Sequence, residues 1–210
     1  MSSTLPLTRN AVSAAKADAI RASVRAATRL GNAPDASRLA TPEDAAALFD
    51  LFSEPRVNGP IYSLPRPLTK AGVAALIGTE TANREAGTGL LFVNAMPDGT
   101  IMGYSEIRVW PEWAAGELAG ALHPSLHGKG AGGQGAAASF AWMFDVLGLD
   151  LICETAALTN IATQRMLDGL GFRRIGEIVS TRPDGSTRDS LVWEMTRAEW
   201  DARQRPQEMP

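Results

Sequence analysis

A glycine-rich turn between a predicted strand and a predicted helix is the segment best suited to chemistry. Five of the eight residues from Gly128 to Gly135 are glycine, and His127 precedes them. Glycine lets the backbone turn tightly and brings N–H groups close to a ligand without interference from a Cβ atom. The helix that follows adds free N–H groups and the positive end of its dipole. The turn therefore predicts a site for a phosphate or pyrophosphate, and a surface loop without a ligand is the alternative.

Two nucleotide-binding motifs compete for this turn. A Walker loop is excluded, because Lys129 lacks the upstream glycine at the required spacing and is followed by Gly130 rather than Ser or Thr. The dinucleotide fingerprint matches Gly128-x-Gly130-x-x-Gly133, and Glu154 lies 21 residues beyond it. A His-Pro break before the turn argues against a dinucleotide site. So do the 77 residues that remain after Gly133, too few for a second nucleotide-binding half with a substrate domain.

The other reactive side chains give weaker signals. Cys153 is the only cysteine and lies in an apolar run, which predicts a buried, inert thiol. His123 precedes Pro124, which is typical of a turn residue rather than a base. With one cysteine and two histidines, the sequence predicts no metal site and excludes an intrachain disulfide.

Composition restricts the class of protein. Apolar residues make up 45% and charged residues 20% of the 210 residues, as in a soluble globular protein with one core of ordinary size. The net charge of −3 argues against a protein that coats nucleic acid or an anionic membrane. No apolar run approaches the length of a membrane-spanning helix. We expect a cytoplasmic protein.

The elements around the turn predict a mixed α/β or α+β domain with a largely antiparallel sheet. Thr41-Pro42-Glu43-Asp44 reads as a helix start, and the four prolines of residues 54–67 predict an irregular loop. Helices are predicted at about Pro42–Ser53, after Thr69, at Gly135–Leu147 and at Ile161–Leu170. Strands are predicted at Leu90–Val93, Ile101–Trp110, Glu117–Leu122, Leu149–Leu158, Phe172–Ser180 and Ser190–Met195.

The first 36 residues have a different composition from the rest. They carry five basic residues and one acid before Asp35, and Val12, Ile20 and Val24 recur at helical spacing. We expect an appended helix followed by a linker, with an organelle-targeting segment as the alternative. Residues 37–200 are then the main domain, and residues 201–210 a polar tail.

Two signatures of the chain resemble the GNAT superfamily of acyl-CoA N-acyltransferases. The run Glu117-Leu-Ala-Gly-Ala-Leu-His-Pro-Ser-Leu-His-Gly-Lys-Gly-Ala-Gly looks like its motif A, whose hexad (Arg/Gln)-x-x-Gly-x-(Gly/Ala) falls on residues 127–132. The run from Asn160 to Gly-Phe172 resembles the second signature, Asn-x-x-(Ser/Ala)-x-x-(apolar)-x-x-x-x-Gly-Phe. The likeness covers about residues 37–196 and is closest to the RimJ/RimL-like branch.

The resemblance implies a GNAT-like, largely antiparallel sheet of six to seven strands with helices on both faces. It also implies acetyl-CoA as cosubstrate. Two positions depart from the pattern: His127 replaces the usual Arg or Gln, and Leu167 replaces the tyrosine that protonates the leaving thiolate in many members. The cofactor-binding residues implied are Ala121, Leu122, His123, His127, Gly128, Lys129, Gly130, Ala131, Gly132, Gly133, Gln134 and Asn160.

The family reaction is direct attack of an amine on the thioester carbonyl, and the resemblance suggests residues for it. Glu117 is the candidate base, with an exposed strand-edge residue as the alternative. Thr163 is the candidate proton donor, although a local hydrogen bond would also explain it. Asn160 is also a good helix N-cap. Trp110, Glu112 and Trp113 are candidates to line the amine pocket, or they pack at its rim.

The function implied is N-acetyltransfer to a primary amine of a peptide N-terminus or a small molecule. A catalytically silent acyl-CoA sensor is the first alternative, and a dinucleotide-binding module is the second. We expect neither nucleic acid nor membrane as a partner, and a homodimer is left open.

Overall fold

A computed structural model describes residues 5–31, 37–59, 61, 63–128, 130–182 and 184–204. The strands within these residues are β1 (Arg29–Leu30), β2 (Ser37–Leu39), β3 (Gly89–Ala95), β4 (Ile101–Trp110), β5 (Ala115–Leu122), β6 (Leu151–Ala157), β7 (Arg173–Thr181) and β8 (Thr187–Thr196). The helices are α1 (Ala14–Ala26), α2 (Ala45–Ser53), α3 (Pro55–Asn58), α4 (Lys70–Ala86), α5 (Ala131–Asp145), α6 (Ile161–Leu170) and α7 (Arg197–Gln204).

The strands form one sheet in the order β1-β2-β3-β4-β5-β6-β8-β7. Every neighbouring pair is antiparallel except β5 and β6, which are parallel. The predicted mixed, largely antiparallel sheet is therefore confirmed. The sheet has eight strands rather than six to seven. The two-residue β1 lies just before the expected linker and was not predicted.

Alternating side chains of the strands pack helices on both faces of the sheet. Leu90 and Phe92 of β3 contact the core that holds α1, α5, α6 and α7. Leu91 and Val93 point the other way and join the core formed with α2, α3 and α4. The period of two residues along β3 thus separates the two cores.

Local signals in the sequence set most helix ends. Thr69 caps α4 by accepting a hydrogen bond from Gly72 N at 3.0 Å, and Gly87 ends the helix at φ +79°. Three predicted boundaries shift. The helix predicted at Pro42–Ser53 begins with a 3₁₀ turn at Pro42–Asp44, which α2 follows. Helix α5 begins at Ala131 rather than Gly135, and the loop at 54–67 contains α3.

The N-terminal residues pack on both faces of the sheet. Ile20 and Val24 of α1 are buried in the same core as β3. Leu5 is buried on the opposite face, against Cys153 of β6, and Thr8 N donates to Glu194 Oε1 at 2.9 Å. The linker predicted after α1 falls mostly on residues 32–36, outside the described residues. Of the predicted polar tail, residues 201–204 belong to α7, and residues 205–210 are also outside the described part.

Candidate active site

A gap in the sheet between β5 and β6 forms the site. The two strands pair only at Ala115–Leu151 and Gly116–Ile152, and then diverge. The gap is part of a cavity of about 1010 Å³. Its lining comes from α5 and α6 on one face and from the segment 56–63 on the other face. The cavity therefore passes through the sheet, so that two ligands can meet in the gap from opposite faces.

The glycine-rich turn lies at one end of this cavity. Gly128 and Gly130 have φ of +76° and +75°, a conformation that favours glycine. Gly130 is the N-cap of α5 and provides no side-chain cap, so the first N–H groups of α5 keep no intrahelical partner. Residues 131–133, at this helix start, line the cavity. This arrangement fits the pyrophosphate of a nucleotide cofactor.

Two of the residues in this turn that were predicted to bind the cofactor are not among the described lining residues. Lys129 lies outside the described residues. Gln134 is not among the described lining residues, and its N–H donates to Gly130 O at 3.2 Å. His127 lines the cavity, and its Nε2 lies 2.8 Å from Leu122 O, so the ring bridges the turn and the end of β5.

The free edge of β5 lies along the gap. His123 N donates to Met102 O of β4 at 2.8 Å. Backbone groups of successive strand residues point to opposite sides. Ala121 and His123 therefore face β4, whereas Leu118, Gly120 and Leu122 face the gap. Of the three strand residues predicted to hold a cofactor, only Leu122 presents its backbone there, and the register is shifted by one residue from the prediction.

Glu117 lies where β5 leaves β6, and it is 8% exposed. Thr155 Oγ1 donates to Glu117 Oε1 at 3.2 Å, and Arg108 Nη1 is 3.8 Å from Glu117 Oε2. Burial raises the pKa of Glu117, and the positive charge of Arg108 opposes that shift. A carboxylate with a raised pKa in a cavity has the properties of a general base. The exposed strand-edge alternative is wrong, because the side chain is buried.

Two further buried glutamates, Glu106 and Glu154, interact with Glu117, and a third, Glu80, interacts with Glu106. Glu106 of β4 is 8% exposed, Ser63 Oγ donates to its Oε2 at 3.5 Å, and burial raises its pKa. Glu80 of α4 has its pKa raised to about 7 by burial and by Glu106. Glu154 of β6 accepts a hydrogen bond from Leu118 N at 2.8 Å. Sequence reasoning did not assign them to the acyl-transfer site, although a glutamate inside an apolar strand is a signal that could have found Glu106 and Glu154.

The start of α6 lines the cofactor side of the cavity. Asn160 Oδ1 accepts from Thr163 N at 3.3 Å, so Asn160 is the N-cap, and both residues line the cavity. Leu167, at the usual tyrosine position, is fully buried in the core. Arg165 lines the cavity and supplies a cation that sequence reasoning missed.

The predicted amine-pocket residues lie elsewhere. None of Trp110, Glu112 and Trp113 is among the described residues that line the cavity. Trp110 is buried with Leu5, Arg9 lies 4.5 Å above the Trp113 ring, and Glu112 O accepts from Val12 N. These residues pack against the N-terminal segment and not at the rim of the cavity as the alternative expected.

Other reactive groups give no second centre in the described part of the chain. Cys153 is fully buried, and burial raises the pKa of its thiol well above the usual value. In the same residues no group of three or more His, Cys, Asp or Glu side chains is placed to hold a metal ion. Nor does any described helix combine the length and apolar character needed to cross a membrane.

Comparisons with known proteins found a matching family and similar solved structures. Residues 37–173 match the family described as acetyltransferase (GNAT) domain. No curated protein sequence matches the chain. The ribosomal-protein-S5-alanine acetyltransferase from Vibrio fischeri is similar in structure, with 20% identity and a TM-score of 0.65 over 79% of this chain and 94% of its own.

Two structures determined with a coenzyme A species are also similar. Mycobacterium smegmatis RimJ in complex with CoA-disulfide has 20% identity and a TM-score of 0.66, over 78% of this chain and 82% of its own. An aminoglycoside acetyltransferase in complex with coenzyme A has 21% identity and a TM-score of 0.62, over 80% of this chain and 98% of its own. At these identities the similarity establishes the fold.

Proposed function

Because the chain belongs to the GNAT acetyltransferase family, we propose that it transfers an acetyl group from acetyl-CoA to a primary amine of a peptide N-terminus or a small molecule. The observation that carries the proposal is the position of buried Glu117 in a cavity that passes through the sheet. The glycine turn opens on one face, and the segment 56–63 lies on the other. An acyl donor and an amine thus have separate entrances to one gap.

The cofactor side offers complementary groups for a CoA molecule. The free N–H groups of residues 131–133 and the α5 dipole suit the pyrophosphate. Gly120 presents backbone groups to the gap, where a pantetheine arm adds like another strand. Arg165 is available for a further phosphate. Acetyl-CoA supplies the acyl group as an activated thioester.

The residues around the gap account for the movements of protons. Glu117 accepts the proton that the amine loses as the new C–N bond forms, directly or through a water molecule. Leu118 N–H is the strand amide next to Glu117 that faces the gap, and it suits the developing negative charge on the carbonyl oxygen. When the C–S bond breaks, the thiolate needs a proton, and Thr163 is the hydroxyl on the cofactor side proposed to supply it.

The acceptor side carries carboxyl groups that an amine can contact. Glu106 and Glu117 line a small side cavity of the gap, with Arg108 as the basic residue between them. The similar structures include a ribosomal-protein-S5-alanine acetyltransferase and an aminoglycoside acetyltransferase, whose names indicate peptide and small-molecule acceptors. In either case an amine can lie against Glu106 and Glu117, while Arg56 and Arg188 also line the main cavity.

A thiol-release assay tests the proposal. Acetyl-CoA is incubated with the protein and a panel of acceptors that contains N-terminal peptides, polyamines and aminoglycosides. We expect CoA release that depends on one class of amine, together with micromolar binding of acetyl-CoA and CoA by calorimetry. Binding of CoA without transfer to any amine would favour the silent sensor instead. Tight binding of NAD(H) without binding of CoA would contradict the proposal.

A further inference from the structure

Glu154 occupies the point where the sheet divides. Its neighbour Ile152 makes the last pair between β6 and β5, with Gly116. Two residues further along β5, Leu118 presents the next N–H to the gap. Glu154 Oε1 accepts that N–H at 2.8 Å, so a side chain replaces the strand partner that the N–H has lost. Glu154 is 6% exposed and lines the cavity.

The position of Glu154 requires a reason beyond packing. Its strand neighbours Ile152, Cys153 and Ala156 are buried in the hydrophobic core. A carboxyl group among such residues costs free energy unless it is hydrogen-bonded. Burial and the charge of Glu117 raise the pKa of Glu154 well above its usual range. A raised pKa favours the neutral form of the carboxyl group. A neutral carboxyl accepts a weaker hydrogen bond than a carboxylate, so it gives up the Leu118 amide at a low cost.

Resting on the function proposed above, we propose that Glu154 is a positioning residue. It holds the Leu118 N–H in the free protein and gives this N–H up to the carbonyl oxygen of the acyl thioester. Glu117 and Leu118 are consecutive, so an acyl group within reach of the base also lies within reach of this amide. The carboxyl of Glu154 and the thioester oxygen then compete for one donor. Glu154 thus keeps a buried N–H satisfied until the acyl donor arrives.

The test compares acetyl-CoA with CoA, because only acetyl-CoA carries the competing carbonyl oxygen. Dissociation constants are measured by calorimetry for the wild type and for Glu154→Ala. Removing the competitor should tighten acetyl-CoA binding by roughly three- to tenfold, the factor that one ordinary hydrogen bond contributes. The affinity for CoA should stay the same, so the ratio of the two constants changes.

Glu154→Gln keeps an oxygen that can accept from Leu118 N and has no proton to transfer. We expect the wild-type ratio of the two dissociation constants and an unchanged pH profile of turnover in this variant. Glu194→Ala is the matched control, because Glu194 is also a buried glutamate that accepts one backbone N–H, from Thr8. It is not among the described residues that line the cavity, so its ratio should not change.

Three results would overturn the proposal. The first is a Glu154→Ala protein in which the ratio of the dissociation constants for acetyl-CoA and CoA equals that of the wild type or of Glu194→Ala. The unfolding temperature must confirm that this protein is folded. The second is a changed pH profile of turnover in Glu154→Gln, which would make Glu154 a proton-transfer group. The third is a wild type that binds neither acetyl-CoA nor CoA, which would remove the proposed function as well. The first two results leave that function standing.

Discussion

At the scale of single residues, the site depends on carboxyl groups whose protonation is shifted by burial. Glu117 touches one hydroxyl, from Thr155, and one distant guanidinium, from Arg108. Neither contact outweighs the loss of water, so the pKa of Glu117 is raised. A base whose pKa is closer to neutrality both holds its proton after transfer and loses it again between turnovers.

Glu117→Gln tests the proposed role of Glu117 as the base. Glutamine keeps the shape and can still accept from Thr155, but it cannot take a proton. We expect kcat at pH 7 to fall by roughly 10²- to 10⁴-fold, with a partial recovery at high pH as the amine arrives deprotonated. The affinity for CoA should change little, as measured by calorimetry. In the wild type, kcat/KM should rise with pH through the raised pKa of Glu117. A turnover within a few-fold of wild type would make Glu117 structural.

Glu80 gives a prediction about stability. Burial and Glu106 raise its pKa from 4.5 to about 7. The folded state therefore binds the proton more tightly than the unfolded state, and this stabilisation is complete below pH 4.5 and lost as pH rises through 7. We compare the change that Glu80→Gln makes in the free energy of unfolding at two pH values. This change should be about 2–3 kcal/mol more stabilising at pH 8 than at pH 4.5. Urea unfolding at both values measures this.

The exposed Glu85 on the same helix provides the control for Glu80. Glu85→Gln should have an equally small effect at both pH values, because its side chain is solvated in both states. An equal effect of Glu80→Gln at pH 4.5 and pH 8 would contradict the raised pKa.

At the scale of elements, the site is made by the ends of strands and helices rather than by their centres. The gap exists because β5 and β6 stop pairing after two residues each. The start of α5 then supplies N–H groups without a side-chain cap. Each of these ends leaves backbone groups unsatisfied, which is the property that a CoA molecule would use.

Gly132→Val tests the start of α5. A Cβ at Gly132 would meet nothing within 4 Å, so the fold should tolerate it, while the larger side chain projects from a residue that lines the cavity. Losing one or two hydrogen bonds to a charged phosphate costs roughly 1.5–3 kcal/mol each. We expect CoA to bind at least tenfold more weakly, as measured by calorimetry.

Gly78→Val is the matched control for Gly132→Val. Gly78 also lies in a helix with nothing within 4 Å of a Cβ, and it is not among the described residues that line the cavity. It should leave CoA affinity unchanged. If Gly132→Val binds CoA as tightly as Gly78→Val does, the turn is a surface loop without a ligand.

The elements could be predicted largely from local signals, whereas the contacts between them could not. The glycine turn, the Asn160 cap and the strand with Glu117 all carry their own patterns in the sequence. The amine-pocket hypothesis for Trp110 and Trp113 had no such support, because their partners Leu5 and Arg9 lie about a hundred residues away in the sequence. Glu154 was equally hard to interpret, since its role depends on where β5 and β6 part.

At the scale of the whole molecule, the N-terminal residues belong to the same packed structure as the site. Ile20 and Val24 share a core with Phe140 and Met143 of α5. We infer that residues 5–31 are part of the acyltransferase fold rather than a separate appendage, although they lie before the matched family region of residues 37–173.

Ile20→Ala tests this inference. Deleting most of a buried isoleucine side chain typically costs about 2–5 kcal/mol, and Ile20 is 2% exposed. We expect one cooperative denaturation transition, whose midpoint moves to a lower denaturant concentration in this variant. Ala22→Ser, at an exposed position of α1, should shift it little. A main transition that Ile20→Ala does not move would mean that α1 unfolds independently.

The hydrogen bond from Thr8 N to Glu194 has a consequence for how the chain folds during synthesis. It joins residues 186 positions apart, so the segment with Thr8 needs a partner that is made much later. Contacts of such large sequence separation form late, because the entropy of closing the chain must be offset first. The Thr8 amide therefore lacks its Glu194 partner until β8 leaves the ribosome. In pulse-labelled hydrogen exchange, the Thr8 amide should become protected after those of β3 and β4.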